Sequence, residues 1–169
     1  VKAGLLADPK FADGAYEDPP EVGIRAFARI WAGWGPSQAF YRNKLHVDLG
    51  QATAADHISE FWEPNFLAFD ANDLLGMMHT WQVANIADNK IYNGDFEAAC
   101  KAIQAKTILM PCKTDLYFPV ADNEIQASLM SNTELRPIPS DWGHIAGAPG
   151  LNPVDSAFID IAHRELLAS

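Results

Sequence analysis

The sequence predicts an α/β fold, with a helical first half and a second half in which strands and helices alternate. Two observations carry the prediction. Up to residue 90, apolar residues recur at three- and four-residue spacing, the period of helices packed on one side. From residue 93, short apolar runs alternate with helical segments, the order that builds parallel strands covered by helices. A third observation bears on chemistry. The run "TILMPC" ends at the lone carboxylate Asp115, and "ELRPIPSDWGHIAG" breaks from an extended segment into Trp142, Gly143 and His144.

The chain opens on "VKAGLLADPKF", which reads as the back half of a helix already under way. It has neither an initiator Met nor a signal peptide, so a chain cut from something longer is expected. Segment 19–35, "PPEVGIRAFARIWAGWG", begins with Pro and an acid, which suit a first helical turn, and ends at Gly35. Its apolar stripe is Ile24, Phe27, Ile30, Trp31 and Trp34. "PSQAFYRNKLHVDLG" is expected as a second helix and "TAADHISEFWEPNFLAF" as a third, with Thr53 at its N-cap. "DANDLLGMMHTWQVANI" is the fourth, carrying Leu74, Leu75, Met78, Trp81 and Val83. Such a bundle is either a packed core or a helical cap over an acyl- or substrate-binding cleft, and the pattern alone fits both. In the second reading His79 and Trp81 face the cleft.

"NGDFEAACKAIQA" then gives a short helix that feeds the strand "KTILMPC". The helix "VADNEIQASLM", the strand "TELRPIP" and a final helix "NPVDSAFIDIAHRELLA" follow, the last with Phe158, Ile161, Ala162 and Leu166 on one face. Two parallel strands leave both edges of their sheet unpaired, so more of the fold is expected outside these residues.

The bulk numbers exclude several classes. A length of 169 residues suits one domain with a sizeable core. The content of 49% hydrophobic and 20% charged residues is that of an ordinary soluble globular protein. A net charge of -10 argues against nucleic acid or an anionic membrane as partner, because both need a basic face. The two cysteines, Cys100 and Cys112, make no disulfide framework and no Cys/His spacing suits zinc, which favours a reducing, cytoplasmic compartment and no bound metal. No apolar stretch approaches the roughly 18 residues of a membrane span.

In open α/β sheets, catalytic groups gather beyond the carboxyl ends of the strands. Asp115 and His144 both sit there, 29 positions apart. An Asp after a strand is commonly a turn former, and a lone loop histidine is more often structural. The pair, in consecutive α/β repeats, is what points to catalysis. A carboxylate that accepts from a histidine ring N–H fixes its tautomer and steadies the imidazolium formed behind a nucleophile. The α/β-hydrolase fold orders its triad as nucleophile, acid, histidine, so the nucleophile should come first. No G-x-S-x-G pentapeptide occurs. Ser37 opens a helix without a preceding strand and reads as a capping residue, Ser140 as a turn former, and Cys112 as a buried core thiol. His46, His57, His79 and His163 lie in helical segments and read as surface or packing residues.

The stretches "LLADPKFADGAY", "FDANDLLGMMHTW", "GDFEAACKAIQAKTILMPCKTDLYFP" and "WGHIAGAPG" resemble the homoserine O-acetyltransferase family of α/β-hydrolase-fold acyltransferases. The resemblance covers essentially the whole chain and is to the C-terminal half of that family. It implies three segments: residues 1–15 as the end of a core helix, 16–90 as a helical lid, and 91–169 as the last two strands and their helices. It implies Asp115 as the acid and His144 as the histidine of a triad whose serine lies upstream of Val1, on an N-terminal segment or second chain. The implied reaction is ping-pong acyl transfer, with acetyl-CoA or another acyl donor as co-substrate, no permanently bound cofactor, and a small-molecule acceptor hydroxyl. Water as acceptor makes the same site an esterase. A homodimer through the lid helices is a further expectation. One position departs from the family's "GHDAF" pattern: Ile145 follows the histidine where homoserine enzymes carry an acid, which argues against homoserine as acceptor. The contrasting reading is non-catalytic, a fragment that pairs its exposed sheet with another chain.

Overall fold

The structure, a computed structural model, describes residues 1–168. In chain order, α1 (Lys2–Leu6) and a 3-10 turn (Pro9–Gly14) lead into α2 (Glu21–Ala32), α3 (Gln38–Arg42) and a second 3-10 turn (Leu45–Leu49). Next, α4 (Ala54–Asp56), a π-helical stretch (His57–Trp62) and α5 (Glu63–Leu67) run on without a break, and α6 (Ala71–Val83) follows. Then α7 (Phe96–Lys101), β1 (Thr107–Leu109), α8 (Val120–Leu129), β2 (Thr133–Leu135) and α9 (Pro153–Leu167) alternate in the predicted order. None of these helices is long and apolar enough to cross a membrane.

The chain forms two compact units: Val1–Trp34 with Asn43–Ala84, and Gly35–Arg42 with the residues from Asn85 onward. The first is helical. Its core is Leu5, Phe11, Ile24, Phe27, Ala71 and Leu74, with Trp31, Phe66, Leu75 and Met78 packed against it. Ile30, Trp34, Trp81 and Val83 are exposed, so the buried stripes of α2 and α6 are narrower than the sequence spacing predicts. Glu63 is buried and accepts from Arg25 Nη1 at 2.7 Å and Arg29 Nε at 2.6 Å.

Two helices depart from expectation. The one predicted over 36–50 splits at Lys44, which takes the left-handed conformation at φ +55. Its two pieces belong to different compact units, so each follows its own packing surface and helix propensity loses. The third begins as predicted at Thr53, and the cap is a full capping box: Thr53 Oγ1 accepts from the Asp56 amide at 3.1 Å, and Asp56 Oδ2 from the Thr53 amide at 3.0 Å. Its middle widens into the π turn just before Pro64, which has no N–H to offer the Glu60 carbonyl and whose ring crowds it.

That π turn carries a buried histidine cluster. His57 is fully buried; its Nε2 accepts from Trp62 Nε1–H at 2.9 Å and its Nδ1 lies 3.2 Å from Gln51 Oε1. These partners require a neutral ring with its proton on Nδ1. His46 is also buried, with Nδ1 3.0 Å from the Gln51 carbonyl and its ring stacked on His57 at 6.2 Å. Burial, and secondarily the nearby His46, push the His57 pKa from 6.5 down to about 4. Both rings are packing residues, as the sequence reading has them. His79 and His163 are exposed.

In the second unit β1 and β2 pair in parallel, Thr107 with Thr133, Ile108 with Glu134 and Leu109 with Leu135. Pro111 stands at a donating position of the ladder without an N–H to give, and the regular pairing stops short of it. Pairing resumes at the bridge of Cys112 with Ile138, where the Ile138 amide donates to Pro111 O and the Lys113 amide to Ile138 O. The two segments therefore leave the sheet side by side. In α9 the buried positions are Asp155 and Ala162, with Phe158, Ile159 and Leu166 half-buried. Ile161, placed on the apolar face by its spacing, is exposed instead.

Candidate active site

Just past the Cys112–Ile138 bridge, the first loop folds back on itself at Asp115. Its Oδ1 accepts from the amides of Tyr117 at 2.7 Å and Phe118 at 3.2 Å, an Asx-type turn closed by its own side chain. That leaves Oδ2 pointing across to the second loop, 3.1 Å from His144 Nδ1. The carboxylate is 7% exposed and the imidazole 24%, so the acid is sheltered and the histidine remains reachable. The rings of Tyr117 and Phe118 lie 4.8 and 5.4 Å from the imidazole and limit its rotation. The short turn thus holds the acid and walls the histidine at once.

The histidine loop is tied down from several elements. Ser140 Oγ donates to the buried Asp155 of α9 at 2.7 Å and accepts from the Trp142 amide at 3.1 Å. The Asp141 carbonyl accepts from Ser37 Oγ at 2.6 Å. The Gly143 amide donates to Thr114 Oγ1 at 3.2 Å, and the His144 amide to the Gly35 carbonyl at 2.8 Å. Gly143 has φ +71, and a Cβ there would lie 2.7 Å from both Gly35 O and Ser37 N. Only glycine suits this position. Beside the pair opens a recess of about 280 Å³, lined by Met110, Cys112, Phe118, Asn123 and Ile138 together with Asp115, Gly143 and His144.

The structure thus brings together the two residues singled out from the sequence, Asp115 and His144. Ser37 is the N-cap of α3, accepting from the Phe40 amide at 2.9 Å, and is buried. Cys112 is a buried free thiol whose Sγ–H donates to Ser140 O at 3.2 Å. Ser140 holds the loop. Thr114, Asp155 and Gly35, which support the histidine loop, carry no mark in the sequence that separates them from ordinary turn and helix residues.

No protein-family model matches the chain. An ethyl acetate hydrolase of Pseudomonas veronii is 32% identical over 170 residues, 98% of this chain and 47% of that protein. A probable esterase of Corynebacterium glutamicum is 33% identical over 141 residues, 82% of this chain and 40% of that protein. The crystal structure of an acetylester hydrolase from Corynebacterium glutamicum superposes with a TM-score of 0.93 at 30% identity, covering 99% of this chain and 48% of that one. The chain carries the C-terminal part of an α/β-hydrolase fold. As such it spans about half the length of the relatives it matches. The resemblance drawn from the motifs holds at the level of the α/β hydrolases and is weaker at the finer one: a homoserine O-acetyltransferase of Trichormus variabilis is 21% identical over 168 residues, below the esterases. Ile145, where homoserine enzymes carry an acid, agrees with that ranking.

Proposed function

We propose that this chain supplies the acid and the histidine of an ester-cleaving site, and that water, rather than an amino-acid hydroxyl, is the acyl acceptor. The observation that carries the reading is the 3.1 Å contact of His144 Nδ1 with Asp115 Oδ2, made by a carboxylate whose other oxygen two backbone amides already hold. Asp115 keeps the proton on Nδ1 and stabilises the imidazolium; Nε2 takes the proton of a serine hydroxyl as that oxygen attacks the ester carbonyl. The same proton passes to the departing alkoxide, which leaves as alcohol. Water, deprotonated by Nε2, then attacks the acyl-serine; as its bond to the acyl carbon breaks, the serine oxygen takes that proton back from Nε2 and the carboxylic acid departs. The serine belongs to an upstream segment or second chain with a nucleophile elbow, and the helices of residues 16–90, apart from segment 35–42, serve as the lid.

The relatives named for ethyl acetate and acetyl esters support a short acyl group, and the recess beside His144 supplies one wall of its site. Acetyl esters of simple alcohols are the proposed substrates. Acyl transfer from acetyl-CoA is the second reading, favoured only by the more distant homoserine O-acetyltransferases. The full protein that contains this chain, assayed on ethyl acetate, should release acetate, and His144→Ala should abolish release. Release unchanged by the substitution would refute the assignment. Acetyl transfer from acetyl-CoA to an added alcohol, outpacing hydrolysis, would move the reading to transferase.

A further inference from the structure

We infer that segment 35–42 is a positioning device for the histidine, with Ser37 and Phe40 as its working side chains; its kinetic readout rests on the ester-cleaving reading above. The chain leaves the helical unit after Trp34 and rejoins it at Asn43, and the stretch between belongs to the unit of the histidine loop. It touches consecutive residues of that loop. Ser37 Oγ donates to Asp141 O at 2.6 Å. Phe40, fully buried, stands edge-on to the Trp142 ring at 5.3 Å. The Gly35 carbonyl takes the His144 amide at 2.8 Å. Gly143, without a side chain, allows the backbones to meet this closely.

A five-residue helix has no local need of such contacts, since its N-cap bond to the Phe40 amide uses only one face of the Ser37 hydroxyl. The proton of that hydroxyl is spent on the histidine loop. Position matters here because the Nδ1 to Oδ2 contact, at 3.1 Å, already stands near the long end of a hydrogen bond. Loop movement of a few tenths of an ångström away from Asp115 breaks it. Ser37 and Phe40 touch no reacting atom; they act by fixing where His144 stands.

The test uses the full protein with two readouts, steady-state hydrolysis of 4-nitrophenyl acetate and the downfield Nδ1–H proton resonance of His144. In Ser37→Ala, kcat should fall roughly 10- to 100-fold with KM within about twofold, the signature of misplaced catalytic geometry. The resonance should shift or broaden in step. Ser37→Thr, which keeps the hydroxyl, should recover most of both. If Ser37→Ala does not fold, Phe40→Leu, which thins the contact on Trp142 and leaves both Ser37 bonds, carries the test with a smaller fall in kcat. Unchanged kcat and unchanged resonance in the folded variant would overturn the inference. His144→Ala is the separate control: if it hydrolyses as well as wild type, the ester-cleaving reading fails, while the resonance still reports whether Ser37 positions the ring.

Discussion

His57 makes the helical unit sensitive to mild acid, through a proton the fold cannot accept. Its Nε2 is occupied by the Trp62 indole N–H, and burial holds its pKa at about 4 against 6.5 when exposed. Above pH 6.5 the ring is neutral folded or unfolded, and pH has no effect through it. As pH falls from 6.5 towards about 4, the unfolded chain binds a proton that the folded chain refuses, so stability is lost across this window. At ~1.4 kcal/mol for each pH unit, the full span amounts to roughly 3 kcal/mol. Below it the folded ring charges too and the loss stops growing. Asp8 and Glu63 do not confuse the measurement. Backbone amides of Gly23 and Lys10 lower the first pKa and Arg25 lowers the second, so their contributions begin to be lost only at the acid end of the window, and equally in wild type and variant. The assay is urea unfolding at stepped pH values between 7.5 and 4.5, comparing wild type with His57→Gln, whose amide oxygen still accepts from Trp62 but takes up no proton. Wild type should lose stability over the window while the variant stays nearly flat. Parallel curves, or a His57 ring that titrates near 6.5 by NMR, would refute the reasoning.

Three other substitutions probe separate parts. Asp115→Asn should lower kcat by about 10²- to 10⁴-fold with little change in KM or melting temperature, because the amide no longer stabilises the imidazolium; a loss confined to KM in steady-state kinetics would count against the assigned role. Gly143→Ala forces a Cβ into the left-handed region, at a cost of about 1–2 kcal/mol before its contacts with Gly35 and Ser37 are counted. Calorimetry should show the destabilisation, and an unchanged melting temperature would mean the loop sits otherwise. Glu63→Gln should weaken the helical unit by about 1 kcal/mol in urea titration, a modest figure because both arginine partners are partly exposed.

What could be read in advance was local. The alternation after residue 93, the Thr53 N-cap and the placement of Asp115 and His144 at strand ends all depend on neighbours within a few residues. The break at Lys44 does not: nothing between Pro36 and Gly50 forbids a helix, and the split appears only because its halves have different packing surfaces. Ser37 was legible as a helix cap, but its second bond goes to Asp141, across 104 positions that no spacing rule connects. The exposed Ile161 and the buried Asp155 show the same limit. Periodicity ranks faces by hydrophobicity, and here Ser140 makes a carboxylate the better occupant of a buried position.

The two halves of the acid–histidine pair become ordered on different terms. Asp115 is set by amides two and three residues away, a turn that can close in an otherwise unfolded chain. The histidine loop relies on partners 15, 29 and 104 positions distant, each with a loop-closure entropy to overcome. Contacts of such long range form only once their loops have closed, and any opening that separates these partners releases them together. Hydrogen exchange should therefore find the amide of His144 released well before those of Tyr117 and Phe118. The acid corner then survives as a formed turn in molecules that have already lost their histidine, so such molecules would lose activity before the fold as a whole gives way.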